Sequence, residues 1–451
     1  MRFQSFNEML RHYAETDNGA AIIYDDNQKK SIITYQELLS AVHRRTEGLK
    51  ASRKTSIGIF CSATPDCIIT IFAAAAAKMQ LVMIDSGMSR EVIAKQIKAA
   101  DVDMLWSEDK KVLQHFEEDL TSGVEQEAGR ILFFTSGTTS MSKAVVLTEQ
   151  SLCNSAYNGS AKLPLQRDDV LLCMLPLAHV FGFVCGLLWG LSCGACVALG
   201  RGARFMPFDL KYFDPTAVSV VPMLLGFLLK QGLLNDHLQL ILVGAGDCQQ
   251  SLLDAAAALG KRISFGYGLT ETSSGVAISV EGDPYAMEVC PDDTITIADD
   301  GEILIAAPTC MMQGYYKWPQ YTEEVLRHGI LSTGDLGRFD EDGRLHITGR
   351  KKDILVMGDG TKIFLPEYEG ALMKLLGTAE LAVTLRDDRP VLVYVGEAEK
   401  KALWERLRPM MEQLPRGQQL TDILITGDAL PRTASGKIKR WELQQKVGTW
   451  T

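Results

Sequence analysis

The sequence predicts an α/β protein, with a large N-terminal domain of doubly wound sheets carrying a β-rich subdomain and a small α+β C-terminal domain behind it. Three observations predict this. Helical patterns alternate with short apolar runs through the N-terminal third; after Pro284 the pattern changes to short alternating strands around DDG and EDG turns; and the charged stretch GRKKD, Gly349 to Asp353, separates both from a closing segment of mixed pattern. Strand–helix alternation means βαβ units and a mostly parallel sheet, whereas alternating strands joined by Asp-Gly turns mean hairpins.

In order, SIITYQELLSAVHRRTEGLK reads as helix, TSIGIFC as strand, ATPDCIITIFAAAAAKMQ as helix, LVMID as strand, SREVIAKQIKAAD as helix and VDMLW as strand. The pattern resumes at TAVSVVP, LQLILVG and ISFGYG, short β-rich runs ending in small residues, the kind of strand end at which doubly wound folds bind ligands. The β-rich part spans about 284–350, with hairpins expected in DTITIADDGEILIAA and HGILSTGDLGRFDEDGRLHITG. Past GRKKD come a helix at PEYEGALMKLL, strands at LAVTL and VLVYVG, a helix at KKALWERLRPMMEQL, a strand at DILIT and a basic tail, about 100 residues that suit a small separate domain. The domains are therefore expected at 1–350 and 353–451.

A chain of 451 residues with 46% hydrophobic content fills two or three cores. The formal charge of −10 repels a polyphosphate backbone, so nucleic acid is not an expected partner. The ten cysteines sit mostly in apolar segments, as reduced thiols do, and the single CxxC, Cys193 to Cys196, has no second pair to complete a zinc site. The N-terminus lacks an apolar segment of signal-peptide length, which points to the cytoplasm. One stretch competes with that picture: Val170 to Gly200 carries no formal charge and repeats Gly182, Gly186, Gly190 and Gly194. Pro176, His179 and Gly200 break it, so strand, loop, buried helix and strand is expected instead of a membrane span.

The stretch FFTSGTTSMSKAVVLT, Phe133 to Thr148, sets hydroxyls and a cation in a turn between two apolar runs. Gly137 lets the backbone curl so that amides and the hydroxyls of Ser136, Thr138 and Thr139 converge on an anion, and Lys143 adds charge. No GK[ST] follows, so this is not a Walker A loop; taken alone, a Ser/Thr-rich surface hairpin reads equally well. Four further clusters follow in order: Tyr267-Gly268-Leu269-Thr270-Glu271 after a strand, Ser332-Thr333-Gly334-Asp335 at a turn, Gly349-Arg350-Lys351-Lys352-Asp353, and Pro431-Arg432-Thr433-Ala434-Ser435-Gly436-Lys437.

Together these motifs resemble the adenylate-forming superfamily, which includes acyl- and aryl-CoA synthetases, nonribosomal-peptide adenylation domains and firefly luciferase, and the resemblance covers essentially the whole chain. It implies a large domain and a C-terminal lid joined at GRKKD. It also implies attack of a carboxylate on the α-phosphate of ATP to give acyl-AMP and pyrophosphate, after which a thiol displaces AMP. By similarity Ser136, Thr138, Thr139 and Lys143 hold the β- and γ-phosphates, Thr270 reaches the α-phosphate and Glu271 holds Mg²⁺. Tyr267 is expected to stack on adenine, with Gly244-Ala245-Gly246 on the other face; Asp335 accepts from the ribose hydroxyls with Arg350 beside it. Lys437 is the catalytic lysine delivered by the lid, Lys352 the hinge, and Gly358 and Gly360 lie in the loop that would line the thiol tunnel.

The chain departs from the family pattern at Ser140, Ser142 and Ala144, where Gly, Pro and Gly are usual, and a left-handed backbone at 140 would cost about 1 kcal/mol. The lid loop MGDGTKIFLPEYE also carries Pro366 one position later than usual. Amino-acid-activating relatives place an Asp beside the position of His179; here Val180 and Phe181 stand there, and an unpaired buried ammonium is costly. Phe181, Phe183, Val221 and Met223 suggest an apolar acyl or aryl tail, with His179 either packed in the core or gating the acid pocket. The expected acceptor is CoA or the phosphopantetheine of an acyl carrier protein, for which Lys437, Lys439 and Arg440 offer a basic patch. The readings are thus an acyl-CoA synthetase, a carrier-protein ligase, or a nucleotide-binding module without turnover.

Overall fold

Local chemistry starts the helices that carry the first sheet. Thr34 and Glu37 form a capping box at the head of Tyr35–Ala51, Thr64 accepts from Cys67 N ahead of Pro65–Ala76, with Pro65 in the first turn, and Ser89 caps Arg90–Ala99. The computed structural model describes residues 1–121, 124, 127–135, 143–246, 248, 250–357, 361–432 and 438–447, the side chains of Gln250 and Lys352 excepted. The helix expected over SIITYQELL is shorter than its pattern, because Lys29–Thr34 pairs with Ala20–Asp26 in a hairpin and Thr34 is the cap. Asn27 and Gln28 turn that hairpin with φ of 52° and 69°, the left-handed pair a tight two-residue turn requires.

Two large sheets build the N-terminal domain. One has six strands in the order Gly314–Tyr315, Ala144–Leu147, Ile131–Phe134, Gln80–Ile84, Ser56–Phe60 and Leu105–Trp106, parallel except at the first two pairings. The other has nine, with six parallel strands at its centre: Arg262–Leu269, Leu240–Val243, Ala217–Val220, Val170–Cys173, Cys196–Leu199 and Ala20–Asp26. Their shared core includes Phe6 stacked on Phe72 with ring centroids 4.7 Å apart, and Phe183 packed against Phe133 at 5.8 Å. The uncharged stretch is strand Val170–Cys173, three consecutive buried helical pieces and strand Cys196–Leu199; no described helix is long and apolar enough to cross a membrane. All ten cysteines are unbridged, most of them buried, and burial raises the thiol pKa of Cys193 and Cys196.

Both expected hairpins form, Thr294–Ile297 with Glu302–Ala306 and Ile330–Phe339 with Leu345–Arg350. Two strands of the β-rich stretch leave it to edge the large sheets: Glu288–Val289 joins the nine-stranded one and Gly314–Tyr315 the six-stranded one. The smaller C-terminal domain packs Leu365–Leu376 and Lys400–Met411 around the three-stranded sheet Leu381–Arg386, Arg389–Val395 and Asp422–Thr426. The basic tail expected after DILIT is in part a helix, Arg440–Val447, whose Leu443 and Val447 are buried. Arg440 is not free for a partner as expected, since its guanidinium pairs in a fork with buried Glu369 at 2.6 and 2.7 Å, and Lys439 pairs with Glu442.

One buried carboxyl in this frame is uncompensated. Asp293 accepts from Asn158 Nδ2 at 3.2 Å, while among the described residues neither Asp293 Oδ1 nor Asn158 Oδ1 has a hydrogen-bond partner. Burial, with the neighbouring charge of Asp292, raises its pKa to about 7. A carboxyl that titrates higher in the folded than in the unfolded chain lowers stability as pH rises from about 4 to 7, because the folded state holds the extra proton in that window. Asp293→Asn is therefore expected to stabilise the protein by on the order of 2 kcal/mol at pH 8 and by much less at pH 5, checked by denaturant unfolding at both pH values. An equal change at the two pH values would contradict the raised titration.

Candidate active site

The neck of the hydroxyl-rich turn is a strand pair. Ile131–Phe134 and Ala144–Leu147 run antiparallel, and Thr135 N donates to Lys143 O at 3.0 Å, closing the pair beneath the turn. Ser136, Gly137, Thr138, Thr139, Ser140 and Ser142 lie outside the described residues. Ala144 is a buried strand residue whose carbonyl accepts from Tyr316 N at 2.8 Å, and its φ is not left-handed, so the departure from glycine there strains no backbone. Lys143 Nζ stands 4.1 Å from the ring centroid of Tyr321 and 4.9 Å from that of Tyr315.

The segment Tyr267 to Glu271 closes the strand Arg262–Leu269 and turns through Thr270–Thr272. Gly268 is required there, because a Cβ would come 1.7 Å from Ser274 O. Thr272 Oγ1 accepts from Leu269 N at 3.0 Å and donates to Ser274 O at 2.9 Å, fixing the turn from within. Tyr267 donates its hydroxyl to Asp335 Oδ2 at 3.0 Å, and Arg350 Nε donates to Asp335 Oδ1 at 2.8 Å. Hairpin register brings the latter two together, Asp335 being the direct cross-strand partner of Arg350. Burial, then the Asp335 charge, pushes the Tyr267 phenol far above its ordinary value, so it remains a donor. Glu271 Oε1 accepts from Tyr315 at 2.6 Å, and the backbone of Met312 bonds Glu271 O at 2.8 Å.

Gly244, Ala245 and Gly246 follow the strand Leu240–Val243, and Ala245 takes a left-handed φ of 60°. Phe181 lies directly against Gly244, where a Cβ would meet its ring at 2.8 Å. His179 is not packed in the core: its side chain is 40% exposed and Nε2 lies 3.1 Å from Asp85 Oδ2, a pairing that lowers the Asp85 pKa. Of the residues expected beside the acid, Phe183 is fully buried in the core against Phe133, whereas Phe181 and Val221 are half-buried and Met223 is exposed.

At the other end, Lys351 Nζ bridges Asp300 Oδ2 at 2.6 Å and Glu302 Oε2 at 2.7 Å, and the Phe364 ring covers Gly349, leaving no room for a Cβ. Lys352 is the middle residue of the turn Lys351–Asp353. Gly358, Gly360 and Lys437 lie outside the described residues. The structure thus gathers Tyr267, Asp335 and Arg350 into one chain of hydrogen bonds, and sets Tyr315 between Glu271, through a hydrogen bond, and Lys143, through its ring. Tyr315 and Asp85 were not legible in the sequence. A Tyr in a two-residue edge strand and an Asp at a strand end are ordinary there, and only the side chains they meet give them chemistry.

A motif-bearing turn at the carboxyl ends of doubly wound sheets, backed by a Tyr–Asp–Arg chain, defines a nucleotide-binding α/β protein with a small second domain. Residues 10–130 and 120–316 match the AMP-binding enzyme family, and the chain belongs to that family. Among curated relatives, a 2-succinylbenzoate–CoA ligase of Bacillus cereus (strain AH820) is 26% identical over 471 residues, covering 96% of each chain. O-succinylbenzoate coenzyme A synthetase from Bacillus subtilis, solved with ATP and magnesium ion, superposes with a TM-score of 0.80 at 23% identity over 96% of this chain and 98% of that one. An anthranilate CoA ligase solved with anthranoyl-AMP gives a TM-score of 0.78 at 18% identity over 99% and 98%.

Proposed function

We propose that the protein is an AMP-forming acid–thiol ligase that activates a carboxylic acid with ATP and passes the acyl group to CoA. The observation that carries this is the chain Tyr267–Asp335–Arg350, closed by 3.0 and 2.8 Å contacts and set four residues before Glu271, in a member of the AMP-binding enzyme family. Asp335 accepts from two donors, and this placement suits its carboxylate to accept from ribose hydroxyls, with Arg350 alongside. Thr270 faces the α-phosphate, and Ser136, Gly137, Thr138, Thr139 and Lys143 take the β- and γ-phosphates. Tyr267 with Gly268 and Gly244-Ala245-Gly246 form the adenine slot, Phe181 backing the latter.

The donor set fits magnesium. No group of three or more His, Cys, Asp or Glu converges among the described residues, and a lone carboxylate such as Glu271 is how this ion is held when substrate phosphates and water complete its shell. When bound, it neutralises phosphate charge as the carboxylate attacks. Lys437, brought by the lid, spans the attacking carboxylate and the α-phosphate, and rotation about Lys352 then exposes the thiol route, with residues 1–350 and 353–451 as the two bodies.

The acid is of aryl or fatty type. Phe181 and Val221 offer an apolar wall, Val180 follows His179 where amino-acid-activating relatives carry an Asp to pair an ammonium, and the relatives are named for aryl acids. His179, held by Asp85, gates that pocket. CoA is preferred over a carrier protein because the curated relatives are CoA ligases. The reaction belongs in the cytoplasm, where ATP and CoA are supplied.

The test is pyrophosphate release from the purified protein with Mg-ATP across succinylbenzoate-like, other aryl, short, medium and long fatty acids and amino acids, each with and without CoA. Release that depends on an aryl or fatty acid, and an AMP-for-CoA exchange that yields thioester, is the expected result. ATP binding without release on any acid would instead favour the module without turnover and place the cause at Ser140 and Ser142.

A further inference from the structure

We propose that Tyr315 is a positioning residue of this site: its hydroxyl fixes the Glu271 carboxylate for a divalent cation while its ring seats the ammonium of Lys143. The inference rests on the assignment of Glu271 as the metal carboxylate. No motif that marks the site contains Tyr315; it enters from the segment that edges the six-stranded sheet, forty-four residues after Glu271.

That segment is tied to both partners through its backbone before any side chain acts. Met312 N donates to Glu271 O at 2.8 Å, Gln313 N to Val146 O at 2.9 Å and Tyr316 N to Ala144 O at 2.8 Å, and Tyr315 is the cross-strand partner of Val145. A strand stitched to the turn on one side and to the neck of the phosphate loop on the other holds its side chains in fixed register with both. Thr322 Oγ1 accepts from Tyr315 N at 2.9 Å, which pins the residue itself.

From that position the side chain reaches two charges at once. The hydroxyl donates to Glu271 Oε1 at 2.6 Å, a short charge-assisted bond that sets the plane of the carboxylate and directs its other oxygen. The ring lies 4.9 Å from Lys143 Nζ, with Tyr321 at 4.1 Å completing an aromatic seat for the cation. An outer-shell donor of this kind is worth about 10- to 100-fold in metal affinity.

The test uses the full chain and binding readouts. Mn²⁺ is titrated by electron paramagnetic resonance in the presence of a non-hydrolysable ATP analogue, and the same analogue is titrated calorimetrically in EDTA. Tyr315→Phe, which keeps the ring, is expected to weaken Mn²⁺ by about tenfold while metal-free nucleotide affinity, which doubles as the check on folding, stays unchanged. Tyr315→Leu, which also removes the seat for Lys143, is expected to weaken nucleotide binding in EDTA as well. Glu271→Gln is run alongside. If it weakens Mn²⁺ and Tyr315→Phe does not, this inference is wrong and the assignment of Glu271 stands; if Glu271→Gln leaves Mn²⁺ binding intact, both fall.

Discussion

Lys437→Ala is expected to remove acyl-AMP formation almost entirely, by about 10²- to 10³-fold in single-turnover rate, with ATP affinity and unfolding midpoint unchanged. The reasoning is electrostatic. The attacking carboxylate and the α-phosphate are both anions, and a cation placed between them is worth most when they approach, so its removal is felt in the transition state and little in the bound ground state. A lysine supplies that as a compact point charge on a long stem, suited to delivery from a separate domain. The decisive comparison is with thioester formation from synthetic acyl-AMP and CoA, which needs no such bridge and should survive in the variant. Acyl-AMP formation at the normal rate would remove Lys437 from the chemistry, and equal loss in both half-reactions would make it a structural residue of the lid.

Asp335→Ala is expected to damage both binding and fold. Asp335 is only 3% exposed, and its removal leaves the Tyr267 hydroxyl and the Arg350 guanidinium without their shared acceptor. Arg350 is 44% exposed in its side chain and can turn to water, whereas the Tyr267 hydroxyl is only partly exposed and loses its carboxylate acceptor, so a stability loss of about 2 kcal/mol is expected instead of the larger cost of a fully buried broken pair. Nucleotide affinity should fall by at least about tenfold through the lost ribose contact and the freed Tyr267 ring. Denaturant unfolding and calorimetric ATP titration read the two effects separately. Wild-type affinity for ATP in a folded Asp335→Ala protein would sink the ribose assignment.

What the sequence disclosed was mostly local. Alternating strands and helices are legible because burial imposes its period directly on neighbours, and so are motifs such as Tyr267 to Glu271, whose chemistry sits within five consecutive positions. Partnerships across long separations were not. Arg440 read as free surface charge because Glu369, which neutralises it, lies 71 positions away, and Phe183 read as a pocket residue because nothing local separates it from Phe181, two positions earlier and half-exposed. The helix at Tyr35 was overextended for a different reason: Ile32 and Ile33 suit either state, and pairing with Ala20–Asp26 decides for strand. Tyr315 and Asp85 have no signature of their own, since each gains a role only from the group folded against it.

The clamp on Lys351 has a consequence for how the two domains can move. With its ammonium held between Asp300 and Glu302, the chain is anchored to the large domain up to residue 351, and Phe364 seated on Gly349 rests the small domain against that same anchor. The lid rotation proposed above would then have its torsional freedom concentrated at Lys352 and Asp353, and the joint would work as a pin and not as a flexible strap. Few dihedrals would change, little chain entropy would be gained or lost, and the balance between two such orientations would be set by contacts at their faces. The clamp and the Phe364 contact differ in kind, since the ionic one weakens with added salt while the aromatic one does not, and ionic strength would therefore act on the sharpness of that pivot without altering the apolar rest beside it.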